Sequence, residues 1–389
     1  MTTLQERLAT VRYRPTGFDY ARVLLACAVI VWHAFGVSYG ERWADGVENT
    51  PLRPLIASIL PMFFGLSGFL VASSLERTPG LLTFIGHRVI RIFPALTVEC
   101  LLSAWILGPL LTSVPLAVYF TSRKFFAYHM NMIGDVHFFL PGMFEHNPIE
   151  RSVNSQLTTV PLELWCYVIL TVIFVVRLFN NRRAFLALLT LATAANLALH
   201  LPHVLTYGPD HSNIGTFNLV FAFLWSVCLY KFKDRIPFSG WLAVASAAAI
   251  YALLTIPGGD YVSGLPIAYL IVYLGLLNPV KIWLLKGADY SYGMYLYGFA
   301  IQQVIAQYVW ARHWYINMPI ALVSAALFAA FSWHVVEKPA LRLKTFLPAL
   351  ERFAARCRAF ISYFVRHFWA HLSGQKPRWG NDRQPPLAW

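Results

Sequence analysis

The stretch from Phe18 to Gly40, FDYARVLLACAVIVWHAFGVSYG, constrains this chain more than any other. It is apolar and long enough to cross a bilayer, whose ~30 Å hydrocarbon core takes about 20 residues of helix. Yet it carries Asp19 and Arg22 at one end and His33 toward the other. An ionisable group inside a span is costly, and by default it marks an interior surface rather than a lipid-facing one. Arg22 and His33 are eleven residues apart, which is ~16 Å along a helix axis and about three whole turns. The spacing therefore returns both to one face, with a permanent cation near one membrane surface and an imidazole much deeper.

The rest of the chain repeats the apolar pattern. Of 389 residues, 58% are hydrophobic and 13% charged, about half the ~25% charged content of an average soluble domain. A soluble class is excluded, and the expected fold is all-α, a polytopic membrane helix bundle. Pro, Gly, Asn and charge clusters punctuate ten expected spans, roughly 19–38, 55–75, 95–114, 159–177, 184–201, 213–230, 238–256, 261–278, 290–310 and 318–336. Residues 1–17 form a polar, basic leading segment without the apolar core of a secretory signal, so the first span is expected to stay in place. The membrane domain is expected over 18–339. Residues 340–371 place apolar positions every three or four residues with arginines between them, the pattern of an interfacial amphipathic helix. Residues 372–389 are expected to be disordered.

The formal charge of +13 is spread over short connections and the tail, which argues for anionic inner-leaflet lipid as a partner and against nucleic acid. With the N-terminus inside, every inner connection is positive, for example Arg77, Arg88 and Arg91, or Lys231, Lys233 and Arg235. Both termini are therefore expected in the cytoplasm. The one long outer connection, Pro115–Thr158, is expected to fold over the outer mouth, since a long structureless loop in a compact protein is usually functional. The five cysteines show no CxxC and no Cys/His cluster, so neither a metal site nor disulfides are expected.

Three constellations could carry chemistry. Asp19 and Arg22, at i and i+3, are placed to pair on one helix face and lower the cost of the arginine; His33 lies on the same face. For either Arg22 or His33 alone, snorkelling or a core hydrogen bond suffices, but the aligned pair favours function. Arg88 and Arg91, read as lying on the inner loop after span two, share a face, and guanidinium forks match phosphate oxygens; alone, they read as ordinary juxtamembrane charge. Glu163 is expected at the depth of His33, where a carboxylate could orient an imidazole; a structural hydrogen bond fits Glu163 equally well. The small residues of Phe63-Phe64-Gly65-Leu66-Ser67-Gly68-Phe69 read as helix packing. Glu337 and Lys338, closing the last span, read as structural.

Taken in order, these blocks resemble acyltransferase family three, the integral-membrane O-acyltransferases that include bacterial surface-polysaccharide and exopolysaccharide acetylases. The resemblance runs from about Phe18 to Pro339. The family's DxxR, with a histidine eleven residues after the arginine, matches Asp19, Arg22 and His33. Its FFxxSGF block matches Phe63–Phe69, including Ser67, and its RxxR before a proline matches Arg88, Arg91 and Pro94. The loop pattern matches Leu140–Phe144, Asn147-Pro148, Asn154, Pro161, Glu163 and Cys166-Tyr167. The closing SYxxYL and EKP match Ser291–Leu296, with Tyr292 inside, and Glu337–Pro339. One departure is Thr158, where family members commonly carry tryptophan.

The resemblance implies transfer of an acyl group, acetyl in the usual case, from cytoplasmic acyl-CoA to a sugar hydroxyl of a surface or lipid-linked glycan, in a bacterial inner membrane. Acetyl-CoA would be the donor substrate and no cofactor would be permanently bound. His33 would be general base or transient acyl carrier, with Glu163 orienting it. Arg22, Arg88 and Arg91 would bind the coenzyme, and Asp19, Ser67, Asn154, Tyr167 and Tyr292 would support the site. A transporter or ion-coupled carrier using Asp19, Arg22, His33 and Glu163 as a relay is the alternative. It would be expected to show paired, broken spans in matching halves, which the sequence does not display.

Overall fold

The computed structural model describes residues 2–11, 15–48, 50–78, 80–207, 216–282 and 287–372. It is an all-α bundle; among the described residues there are no strands, only two isolated bridges. Residues 373–389, most of the tail expected to be disordered, lie outside the described residues; Leu372 ends a helix.

Helix α1 (Leu4–Thr10) opens with a reciprocal capping box between Thr3 and Glu6. It docks on the bundle through Leu4 N–H to the Ile236 carbonyl and Arg7 Nε to the Leu276 carbonyl. Then follow α2 (Gly17–Tyr39), α3 (Glu41–Glu48), α4 (Arg53–Arg77) and α5 (Leu81–Leu101). A π-helical turn over Leu102–Leu107 carries α5 into α6 (Gly108–Leu111), so the continuous helical run is Leu81–Leu111. The remaining bundle helices are α9 (Thr159–Val175), α10 (Arg182–Tyr207), α11 (Thr216–Lys231), α12 (Gly240–Thr255), α13 (Gly264–Leu276), α14 (Ser291–Ala306) and α15 (Trp314–Ser332). Each of the ten expected apolar segments is helical. Six helical runs are long and apolar enough to cross a membrane, while α11, α12 and α13 are shorter apolar helices.

Two expectations need correction. The third span begins at Leu81 rather than near residue 95, so Arg88 and Arg91 sit on a helix and not on a loop, with Pro94 inside that helix. The Pro115–Thr158 connection is not structureless either. It holds α7 (Leu116–Thr121), α8 (Arg123–Tyr128) and 3₁₀ turns at His129–Ile133 and Ser155–Thr158, and it buries Tyr119, Tyr128, Phe144 and Asn154. The Tyr119 hydroxyl donates to the Ala104 carbonyl in the π turn (2.7 Å), tying the cap to α5. The Asn147 amide donates to Gln303 near the end of α14, and Arg312 to the His146 carbonyl. The cap thus closes the end of the bundle where α2 stops.

Close helix approach explains the small residues of α4. A Cβ on Gly68 would clash with the Phe223 carbonyl of α11, and one on Gly65 would press on Ile271 of α13. At the other end of the chain, α15 passes through a second π-helical turn, Trp333–Glu337, into α16 (Lys338–Leu341), a 3₁₀ turn Arg342–Phe346 and α17 (Leu347–Leu372). Leu350, Phe353, Phe360 and Phe364 on α17 are exposed. That is the one-sided apolar face expected of an amphipathic helix.

Candidate active site

A cavity of about 350 Å³ opens inside the bundle, within the roughly 300–1,000 Å³ range of small-molecule pockets. Helix α2 contributes Arg22, and α4 the apolar wall Leu60, Phe63, Phe64 and Leu70 with Ser67. Helix α5 contributes Arg88 and Arg91, α9 Thr159, Glu163 and Tyr167, and the start of α14 Ser291, Tyr292 and Tyr295. Asp289, Trp333, Leu341 and Lys344 complete the lining. The three arginines singled out in the sequence therefore line one space, as do Ser67, Glu163, Tyr167 and Tyr292.

The charges are organised around Asp289, just before α14. One of its oxygens meets both Arg22 (2.9 Å) and Arg91 (2.6 Å), and the other accepts from the Ser291 hydroxyl (2.5 Å). Arg91 also reaches Glu337 (3.0 Å), which is 3% exposed on the π turn. Burial pushes the Asp289 carboxyl up, but the Arg91 and Arg22 guanidiniums overcome that and hold it well below the usual carboxylate range. Arg22 therefore does not pair with Asp19. Asp19 pairs instead with Lys281 (2.6 Å) and is not part of the cavity lining. An i, i+3 partner was available, but Asp289 already holds Arg91 and gives the buried guanidinium a shared counter-ion.

Arg88 is held differently. It donates to Ser74 Oγ (3.2 Å) and lies 5.9 Å from the rings of both Phe84 and Tyr167, while its buried Nε has no hydrogen-bond partner. Glu163, expected to meet His33, accepts from the Tyr167 hydroxyl one turn along its own helix. His33 is absent from the cavity lining. Its Nδ1 lies 3.3 Å from Gln156 Nε2, and its ring stands edge-on to Phe299 with centroids 5.3 Å apart.

Gln156 and Tyr295 form the partition between the two regions. The Tyr295 hydroxyl donates to the Gln156 carbonyl (2.9 Å) and meets Thr159 Oγ1 (2.6 Å). Tyr295 and Thr159 line the cavity, and the Gln156 side chain holds His33 on the far side. Asn154, fully buried beside it, donates to Glu99 and to the Leu296 carbonyl (both 2.8 Å), locking the end of the cap onto α5 and α14.

Asp289, Gln156 and Lys344 escaped sequence reasoning. Asp289 is the only carboxylate between Asn278 and Tyr290, a stretch that otherwise holds Lys281 and Lys286, and that was its one available signal. Gln156 is a single amide before an apolar run, and Lys344 is one more cation after the last span.

The model of the acyltransferase domain matches residues 16–336. This chain belongs to acyltransferase family three. As a family member it is an acyltransferase and, by its apolar helices, a multi-pass membrane protein. The acyltransferase is 27% identical over 335 residues to the O-acetyl transferase of Shigella phage Sf6, covering 84% of this chain and 96% of that one. It is 26% identical over 358 residues to nodulation protein 10 of Rhizobium leguminosarum bv. viciae, covering 86% and 95%. No solved structure matches. The family match ends at residue 336, so Glu337, Leu341 and Lys344 bring residues from beyond it to the acyltransferase cavity.

Proposed function

We propose that this acyltransferase moves an acetyl group from cytoplasmic acetyl-CoA to a hydroxyl of a surface or lipid-linked saccharide. The observation that carries the reading is the cavity itself. It is an apolar slot with four cations, Arg22, Arg88, Arg91 and Lys344, against two carboxylates in its lining. His33 waits beyond one polar partition. Phosphates at the cationic mouth would leave the flexible, largely uncharged pantetheine arm to follow the apolar wall of α4. The thioester would then pass the Tyr295–Thr159 contact to meet His33.

In the reaction, a His33 ring nitrogen takes the proton from the acceptor hydroxyl as its oxygen attacks the thioester carbonyl. The carbon–sulfur bond then breaks, and the departing thiolate takes up the proton from the imidazolium. The alternative order, with the acyl group resting on His33 before the sugar oxygen attacks, uses the same residues. Because Glu163 is engaged by Tyr167, it acts in this reading on the cavity wall, and Gln156 takes the orienting role at His33. A positive-inside orientation puts the cationic mouth in the cytoplasm and the cap outside. The exposed apolar face of α17 lies on the inner leaflet.

The relay alternative needs Asp19, Arg22, His33 and Glu163 connected. Asp19 is taken by Lys281 and Glu163 by Tyr167, which disfavours it. The test is ester-linked acetate on surface polysaccharide from cells expressing wild type, His33→Ala and Arg88→Ala at matched membrane levels. Acetate that appears with wild type and disappears in both variants supports the reading. Acetate retained by His33→Ala would sink the role given to His33.

A further inference from the structure

The four cations of the cavity are not equivalent. Arg22 and Arg91 are occupied by Asp289 and Glu337, with every contact at 3.0 Å or less. Lys344 has no carboxylate and no hydrogen-bond partner among the described residues, and the charged groups acting on it are Arg88 and Arg91. Arg88 likewise has no carboxylate partner among the described residues, and its Nε is buried without an acceptor. Two unneutralised cations held side by side in a partly buried pocket repel each other, at a cost that an anion between them would remove.

The position of Lys344 is fixed by packing. After the π turn and Pro339, the chain folds back over the start of α5. There the Glu351 carboxylate accepts from the Thr83 backbone N–H (2.7 Å), one of the orphan donors of that helix. Leu347 fills the space above Gly86, where a Cβ would collide with it. Between these anchors and the end of α15, the 3₁₀ turn Arg342–Phe346 has little freedom, and it turns Lys344 toward Arg88 over the cavity.

We propose that Lys344, contributed by the segment beyond the family domain, forms with Arg88 the phosphate-binding pair of the cavity, and that the phosphate it holds belongs to the donor coenzyme. Arg22 and Arg91 act instead as a structural clamp joining α2, α5, α14 and the end of α15. The inference rests on the donor reading above and assigns the groups within it. A point charge such as lysine follows a phosphate without demanding bidentate geometry, so Lys344→Arg is tolerated and Lys344→Ala is not.

The full chain in phosphatidylcholine nanodiscs is titrated with coenzyme A and with pantetheine, which lacks every phosphate. Wild type should bind coenzyme A more tightly than pantetheine. Lys344→Ala should weaken coenzyme A by roughly tenfold or more, the size of a lost charge-assisted hydrogen bond, without moving pantetheine. Lys344→Arg should recover most of the loss. Equal coenzyme A affinity in wild type and Lys344→Ala would overturn the assignment while leaving the donor reading intact. If wild type binds coenzyme A no better than pantetheine, the donor reading falls and takes the assignment with it. A third arm repeats the titration with phosphatidylglycerol in the discs. If Lys344→Ala changes only lipid retention and not coenzyme A affinity, Lys344 is a headgroup ligand and the proposal is wrong.

Discussion

The two ends of α2 are both polar and solve opposite problems. Around Arg22 the polar groups are ions: Arg91, Asp289, Glu337, Arg88 and Lys344. Around His33 they are neutral amides. Gln156 touches the ring, Gln302 donates to the Ile30 carbonyl (2.8 Å), and Gln303 donates to the Ser152 carbonyl (2.7 Å). Gln302, Gln303, Asn154 and Asn317 are all fully buried. An ion cluster suits a place that must receive phosphates. It would be wrong beside an imidazole required to give and take a proton, because a fixed charge nearby biases one protonation state. Amides orient a ring without that bias, and they need no counter-ion inside the bundle.

The comparison is broken most directly at its neutral end. His33→Ala should lower acyl transfer by about 10²- to 10⁴-fold, the usual contribution of a positioned acid–base group, with coenzyme A affinity unchanged. A matched loss of affinity would mean the two ends are one site. Next in size is the ionic end. Asp289→Ala removes the only carboxylate on Arg22 and should destabilise the protein by about 3 kcal/mol, the lower range for orphaning a buried charge, measured as thermal unfolding in detergent. The pH dependence has a definite sign. Because the folded Asp289 carboxyl is depressed, its contribution is fully present above the ordinary carboxylate value of about 4 and drains as pH falls below it. Asp289→Asn should lose that acid-side slope, and a variant that keeps it would place the slope elsewhere.

Gln156→Leu sharpens the contrast further. Leaving His33 Nδ1 without its amide should reduce kcat by about ten- to a hundredfold, equivalent to ~1–3 kcal/mol for an unsatisfied buried group, with the KM for donor unmoved. Gln156→Glu should move the acid limb of the pH–rate profile to higher pH by stabilising the imidazolium, a shift that a purely structural role for Gln156 would not produce. The smallest effect belongs outside both ends. Arg182 meets both oxygens of the exposed Asp234 at 2.8 Å. Asp234→Asn should still change stability by less than about 1 kcal/mol, in parallel unfolding measurements.

Helices were legible wherever apolar residues dominate, and least legible where a span hides its charge. Leu81–Phe93 carries His87, Arg88 and Arg91, so hydropathy puts the third span too late; those arginines face a cavity rather than a loop. The conjunction of Arg22, Arg88 and Arg91 could be suspected from their spacing and from the family resemblance. The partners could not. Asp289 lies 267 residues from Arg22, and no local periodicity reports a pairing of that reach. The same holds for Glu163, where matching depth suggested His33. Depth fixes height along the bundle but not azimuth, and the hydroxyl one turn away on the same helix took the contact.

The π-helical turn at Trp333–Glu337 has a consequence for insertions and deletions. A π turn carries one residue more than the α-helical turn it replaces. It therefore sets the rotational phase of everything downstream. Removing a single residue there would relax the turn to α-helix and rotate the following chain by about 100°. Glu337 would swing off Arg91, Lys344 off the cavity, and Glu351 off the start of α5, with no further change to the sequence. This short turn should thus tolerate substitution far better than any change of length.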